Sequence, residues 1–207
     1  MSGEQTAKYR KRKADDDGSE DKSGGKKAFP DSPPHMPDRG SNDALDVITI
    51  DGIVIKGYHV FKRRPLQGLE MKVMREYDNP YDRNAFVVKM PDLSSIPADQ
   101  HHVVTDEKRG TTVRSIAGEI IGRLPAGLCR ILADMEGTYR RAMCVATGPP
   151  RASFAPWPKP SNRGGGAVVP GKVYLEVNRR EKASIVAQLR GAVELHMSTV
   201  QQVIGIN

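Results

Sequence analysis

From Leu45 onward the chain alternates in ways that predict short strands and two helices; before it, aliphatic residues are too few to predict either. The run from Asp46 to Val60, dense in Val and Ile with a break at Gly52, predicts one or two strands. Between Leu69 and Arg75, Leu69, Met71 and Val73 fall on one face and Glu70, Lys72 and Met74 on the other, the period of a half-buried strand. Asn84–Met90, Ser115–Leu124, Tyr139–Thr147 and Lys172–Asn178 predict further strands. Pro125 opens a helix where its missing N–H costs nothing. Leu128, Ile131, Leu132 and Met135 then recur at i, i+3, i+4 and i+7, and Gly137 stops the helix. Ile185, Val186, Leu189 and Val193 mark the buried face of a second helix, with Asn178 as its cap and Glu181 as partner in a capping box. Two stretches show no period: 90–115, an inserted loop, and the Pro/Gly-rich 148–171, which holds the only tryptophan, Trp157. The predicted class is α+β, mainly β with two helices packed on a small antiparallel barrel. The predicted domain spans 46–193, with 194–207 trailing as a C-terminal tail.

Composition adds an expectation for 1–44. This stretch is rich in charge, Gly, Ser and Pro, buries too little surface to offset its chain entropy, and reads as disordered. Within it Lys11, Arg12 and Lys13, then Lys26 and Lys27, flank a spacer of 12 residues. That is the arrangement of a bipartite nuclear import signal, and it predicts a nuclear location with an import receptor as partner. The chain carries 32 Lys/Arg and 25 Asp/Glu. Nine of each lie in 1–44, so the net +7 belongs to the remainder, 23 against 16. A basic folded part favours a polyanionic partner. No run nears the roughly 18 apolar residues of a membrane span, and no apolar run follows the polar start, so neither an anchor nor a secretory leader is expected.

Candidate chemistry narrows the function classes. Cys129 and Cys144 make no disulfide framework and sit in no zinc-ligand spacing, so they read as core residues. His101, His102 and Asp106 have no spacing that fixes a metal, and no metal or cofactor is expected. There is no Gly-x-x-x-x-Gly-Lys-Ser/Thr phosphate loop, and no nucleophile with a supporting base, so no catalytic residue is assigned and no enzyme is expected.

The stretch Arg75-Glu76-Tyr77-Asp78-Asn79-Pro80-Tyr81-Asp82-Arg83-Asn84-Ala85-Phe86 resembles the signature of the HIRAN family. That pattern is a strand ending in Arg-Glu/Asp, then Asn-Pro-Tyr-Asp, then Asn-Ala-Ile/Val opening the next strand. Ala117–Leu124, the helix from Pro125 to Met135, the strand at Tyr174 and the helix after it are similar to the family's later elements. The resemblance implies an OB-like barrel that holds the 3′ end of single-stranded DNA, in a family found alone and at the front of fork-remodelling helicases. A DNA repair or replication-fork setting follows from it. Asn79, Tyr81 and Asp82 match the positions at the terminal nucleotide. Lys56 replaces an Arg that reaches the backbone, and Arg123 stands where a His contacts phosphate. Gly57 and Ala126 depart from the pattern, at a stacking Tyr and at a phosphate-binding Lys, and Phe154 or Trp157 would stand in for a second stacking ring.

The signature also has a physical reading of its own. Asn79-Pro80 initiates a turn, and Asp82 and Asn84 carry oxygens that can satisfy its backbone N–H groups. Tyr81 displays a flat ring there, and base stacking on such a ring contributes about 1–3 kcal/mol. The Asp82 carboxylate would accept from a free ribose hydroxyl and repel a phosphate in the same place. The plainer alternative is that Asp82 and Asn84 brace a hairpin and Tyr81 packs on the sheet. Lys62, Arg63 and Arg64, with Lys56 and His59 upstream, form a basic cluster that reads as phosphate contacts or as a solvated loop. The expected nucleic-acid site is therefore Asn79, Tyr81, Asp82, Lys56, Arg123, Lys62, Arg63 and Arg64. Its expected ligand is single-stranded DNA, with RNA left open. A second reading is a protein-interaction module on the same barrel with a decayed nucleic-acid site, which the missing aromatic at Gly57 favours.

Overall fold

β1 (Leu45–Ile55), the first strand of the computed structural model, is one continuous element. Gly52, at φ +75, puts an irregularity into its pairing between Ile50 and Ile53 without ending it. The strands that follow are β2 (Glu70–Arg75), β3 (Phe86–Lys89), β4 (Val104–Asp106), β5 (Thr111–Thr112) and β6 (Ile120–Arg123). After them come β7 (Arg141–Ala146), β8 (Arg151–Ala152), β9 (Ala167–Asn178) and β10 (Gly205–Ile206). The helices are α1 (Tyr58–Phe61), α2 (Val113–Ile116), α3 (Ala126–Asp134) and α4 (Lys182–His196). The structure describes residues 44–158 and 166–207. The predicted disordered stretch, the two basic clusters of the import signal and the centre of the 148–171 loop lie outside the described residues, Ala44 apart.

The main sheet is antiparallel, in the order β10-β1-β9-β7-β2-β3-β6, with β8 added to β9. β2 keeps its predicted alternation: Met71 and Val73 are buried, while Glu70, Lys72 and Met74 are exposed. α3 and α4 pack against each other and bury Leu128, Ile131 and Leu132 from one side and Ile185, Leu189 and Val193 from the other. These join Ile48, Ile50, Met71, Val173 and Leu175 in one core, where each large side chain contributes about 1.5–3 kcal/mol. Cys129 and Cys144 are both buried, as expected of core residues. No helix among the described residues is long and apolar enough to cross a membrane.

The α+β class holds, but the sheet is not closed into a barrel, which corrects the OB-like expectation. β6 meets the segment after β1 through a single bridge, Lys56 to Arg123, with backbone hydrogen bonds of 2.8 and 2.9 Å. Pairing stops there because Gly57, at φ +91, turns the chain into α1. Even this one bridge needs a glycine opposite it. A Cβ on Gly122 would stand 2.3 Å from the Lys56 carbonyl oxygen.

Other departures have local causes. Residues 90–115 are not a passive loop, since they contain the β4–β5 hairpin and α2 and send Met90, Ile96, Val113 and Ile116 into the core. The strand expected to begin at Ser115 begins at Ile120, because Thr112 and Ser115 close a capping box that starts α2. The expected box at Asn178 does not form: its side-chain oxygen accepts from the Arg180 amide at 3.0 Å, and α4 starts later with no side-chain cap. The second half of the 148–171 loop is strand, since β9 begins at Ala167 and runs through Pro170. Pro170 is tolerated because its carbonyl accepts from the Thr147 amide, just past the end of β7, where a missing N–H breaks no ladder bond. Residues 194–207 are no trailing tail. β10 pairs with β1, and the Asn207 and Thr49 backbones exchange hydrogen bonds of 2.9 and 3.0 Å.

Candidate functional site

The antiparallel order brings the ends of β1, β2 and β6 and the start of β3 to one end of the sheet. Three connections meet there: 56–61 after β1, 76–85 between β2 and β3, and 123–129 where β6 runs into α3. They enclose an open cleft of about 600 Å³. Lys56, Asn79, Tyr81, Asp82 and Arg123 all line it. Five of the eight expected site residues are therefore brought together by strands far apart in sequence.

Lys62, Arg63 and Arg64 do not line this cleft. Arg63 turns away, donating to the Ile120 carbonyl at 2.9 Å and pairing with Glu119 at 2.7 Å. Phe154 and Trp157, the candidate replacement rings, also lie elsewhere: Arg151 stacks on Phe154 and Trp157 is buried. Tyr58 faces the insert, not the cleft, and its hydroxyl accepts from Arg109 at 3.0 Å.

The turn at 76–85 is braced by its own side chains. Asn79 Oδ1 accepts from the backbone N–H groups of Tyr81 at 2.9 Å and Asp82 at 3.0 Å. Its amide nitrogen donates to Glu76 at 2.6 Å. Asp82 Oδ1 accepts from the Asn84 N–H at 2.9 Å. The bracing role predicted for Asp82 is thus present, and Asn79 is engaged in the same way. The other Asp82 oxygen, Oδ2, has no hydrogen-bond partner among the described residues. Tyr81 does not pack on the sheet: it is 96% exposed, and its ring and hydroxyl hold nothing among the described residues.

Two residues outside the expected set complete the cleft. Glu76 receives Arg123 bidentately, Nε to Oε2 and Nη2 to Oε1, both at 2.8 Å. These hydrogen bonds hold the Glu76 carboxyl below its ordinary range and push Arg123 up. Arg123 therefore enters the cleft with its charge already met. Phe61 is the second: its ring lies 5.6 Å beneath the Arg123 guanidinium and beside Gly57. An aromatic ring is thus present at the wall, four residues on from the glycine where the family pattern has one. The Glu76 position was visible as part of the Arg-Glu ending of the signature. Phe61 carried no signal, because its place depends on the left-handed turn at Gly57.

The floor is apolar, formed by Ala85, Leu124 and Cys129. Burial pushes the Cys129 thiol up to about 11, with Asp82 acting in the same direction and Lys56 and Arg123 against it. All three charged groups line the same cleft as Cys129. Lys56 forms no ion pair among the described residues. The cleft carries Lys56 and Arg123 against Glu76, Asp78 and Asp82, with Lys56 and the His59 ring on 56–59 and the carboxylates on 76–82. No group of three metal-ligating side chains occurs among the described residues.

Comparison with protein-family models, curated proteins and solved structures returns no match.

Proposed function

We propose that this chain is a HIRAN-type module that binds the end of a single nucleic-acid strand, expected to be DNA, without catalysing a reaction on it. One observation carries the reading. A fully displayed Tyr81 ring shares a cleft with an Asp82 oxygen and, on the other rim, Lys56, neither of which has a side-chain partner among the described residues. A base splayed from its neighbours stacks on Tyr81 or lies against Phe61. The terminal hydroxyl donates to Asp82 Oδ2, and the preceding phosphate lies toward Lys56 and His59. Glu76 being met by Arg123, the carboxylates of Asp78 and Asp82 disfavour a strand that continues through, because each further phosphate would meet like charge. A nuclear location and a repair or replication-fork setting are proposals of the same kind, resting on the basic clusters of 1–44 and on the resemblance.

The test is fluorescence anisotropy of the full chain with labelled single-stranded oligonucleotides ending in a 3′-hydroxyl or a 3′-phosphate. A hydrogen bond to a charged group contributes about 1.5–3 kcal/mol, so the hydroxyl end should bind about tenfold tighter or more. Asp82→Ala should narrow that gap, whereas Tyr81→Ala should weaken both ends alike, since stacking does not sense the terminal group. Equal binding of the two ends by the wild-type chain overturns end recognition.

One observation favours a protein-interaction module instead. On the other side of the same turn runs a groove with Met74 and Tyr77 exposed, at 47% and 70%, and Tyr139 and Met143 in its wall. Under that reading the wild-type chain shows no oligonucleotide affinity.

A further inference from the structure

α1 forms one wall of the cleft and has little of its own to hold it there. It is four residues long, none of them is buried, and both flanks, Gly57 at φ 91 and Lys62 at φ 53, are left-handed. A helix this short is not self-sustaining, so its position must come from outside. Phe61 beneath Arg123 and Arg63 on Glu119 supply two attachments. The third comes from the insert between β3 and β6. Asp106, at the end of β4, is 7% exposed, and a carboxylate so deeply placed is costly unless paired. Its partners are Arg109, three residues on at 2.8 Å, and the Tyr58 hydroxyl at 3.5 Å. The same Arg109 nitrogen donates to the Tyr58 hydroxyl at 3.0 Å. Arg109 therefore meets the insert's buried charge, and the same guanidinium and carboxylate hold the hydroxyl of the first residue of α1.

We infer that Asp106, Arg109 and Tyr58 form a clamp through which the insert sets the position of α1, and with it the spacing between Phe61 and the turn at 76–82. This inference rests on the reading of the cleft as the site for a strand end. The three are positioning residues, and none lines the cleft. Ligand preference is then tuned from the β4–β5 hairpin without altering any group that meets the ligand. A narrower or wider setting of Phe61 against Tyr81 would select the size of the terminal base.

The test uses the full chain and Tyr58→Phe, which removes one hydroxyl and keeps the ring. Losing the hydroxyl should raise hydrogen–deuterium exchange at 57–62 by about tenfold, with β2 and β9 unchanged. The melting temperature should stay within about 2 °C. Affinity for a labelled single-stranded oligodeoxynucleotide with a free 3′-hydroxyl should fall about three- to tenfold. Adding Asp106→Asn to Tyr58→Phe should weaken it little further, because both act on one clamp. Unchanged exchange at 57–62 overturns the clamp, whatever happens to binding. Raised exchange with unchanged affinity in a chain whose wild type binds overturns its role at the site. If the wild-type chain binds no oligonucleotide, the strand-end reading fails, and the exchange result alone decides whether the clamp positions α1.

Discussion

Glu76 ties together groups that the signature motif presents separately. Its two oxygens take Arg123 from β6 and the Asn79 amide from the turn, so the turn is locked to a strand two positions across the sheet. The hydrogen bonds from Arg123 lower its carboxyl below the ordinary 4.5. A group whose folded value is depressed adds stability above its unfolded value, and that stability is lost as the pH falls through the folded one. Glu76→Gln should therefore destabilise the chain most at neutral pH, with the gap from wild type shrinking below about pH 4.5. Urea unfolding of both proteins across the acid range measures this. A gap that stays constant with pH would show that the ion pair contributes nothing. Asp82 works at the same scale with its two oxygens divided, one on the Asn84 amide and one open to the cleft. The Ala variant used to test ligand contact must therefore also be checked for folding.

Among the elements, β10 offers the clearest measurement. Ile206 is buried, its carbonyl accepts from Arg190 at 3.1 Å, and its neighbour Asn207 pairs with Thr49. Removing residues 204–207 should cost about 2 kcal/mol for the buried side chain alone. At about 2–4 °C per kcal/mol for a domain of this size, the melting temperature should fall by about 4–8 °C. A truncated chain that melts with the wild type would show that β10 is an ornament on β1. The sequence concealed β10 because three apolar positions, Val203, Ile204 and Ile206, are too few to set a period. β2, α3 and α4 were legible because each runs long enough for its period to repeat. The insert was illegible for the opposite reason. Ile96, Val113 and Ile116 reach the core from separate short turns, so no spacing relates them. The first half of β9 hid behind Pro170 and Gly171, which punctuate most chains, but here Pro170 sits just past the end of β7 and Gly171 pairs with its last residue, Ala146. At the site, Asn79, Tyr81 and Asp82 could be grouped from the sequence because they fall within four residues on one turn, whereas Phe61 could not, because only the tertiary fold carries it there.

For the whole molecule, the arrangement of charge refines what the net value suggested. Of the five cations proposed for phosphate contact, Arg63 is paired with Glu119 and Arg123 with Glu76. That leaves Lys56 in the cleft, and Lys62 and Arg64 outside it, to displace counterions. On single strands each such contact steepens the dependence of log affinity on log salt by about 0.7, so a slope of about −2 or shallower is expected. Titrating the same oligonucleotide at several salt concentrations measures it. A slope near −4 would mean that the paired arginines exchange their carboxylates for phosphate, or that cations beyond these five take part. A shallow slope agrees with a module that holds one end rather than tracking along a strand.

The self-bracing of the turn bears on how relatives of this chain should be sorted. Asn79, Glu76 and Asp82 each have an internal partner, so a descendant that had lost every ligand would still be selected to keep them for the sake of folding. Tyr81 has no such protection. No contact among the described residues depends on its ring, and leaving a bare aromatic in water carries a solubility cost. Once binding ceased to matter, drift would erase that tyrosine first and leave the rest of the motif standing. Position 81, rather than the motif as a whole, is where a lineage of working readers would part from one of retired scaffolds.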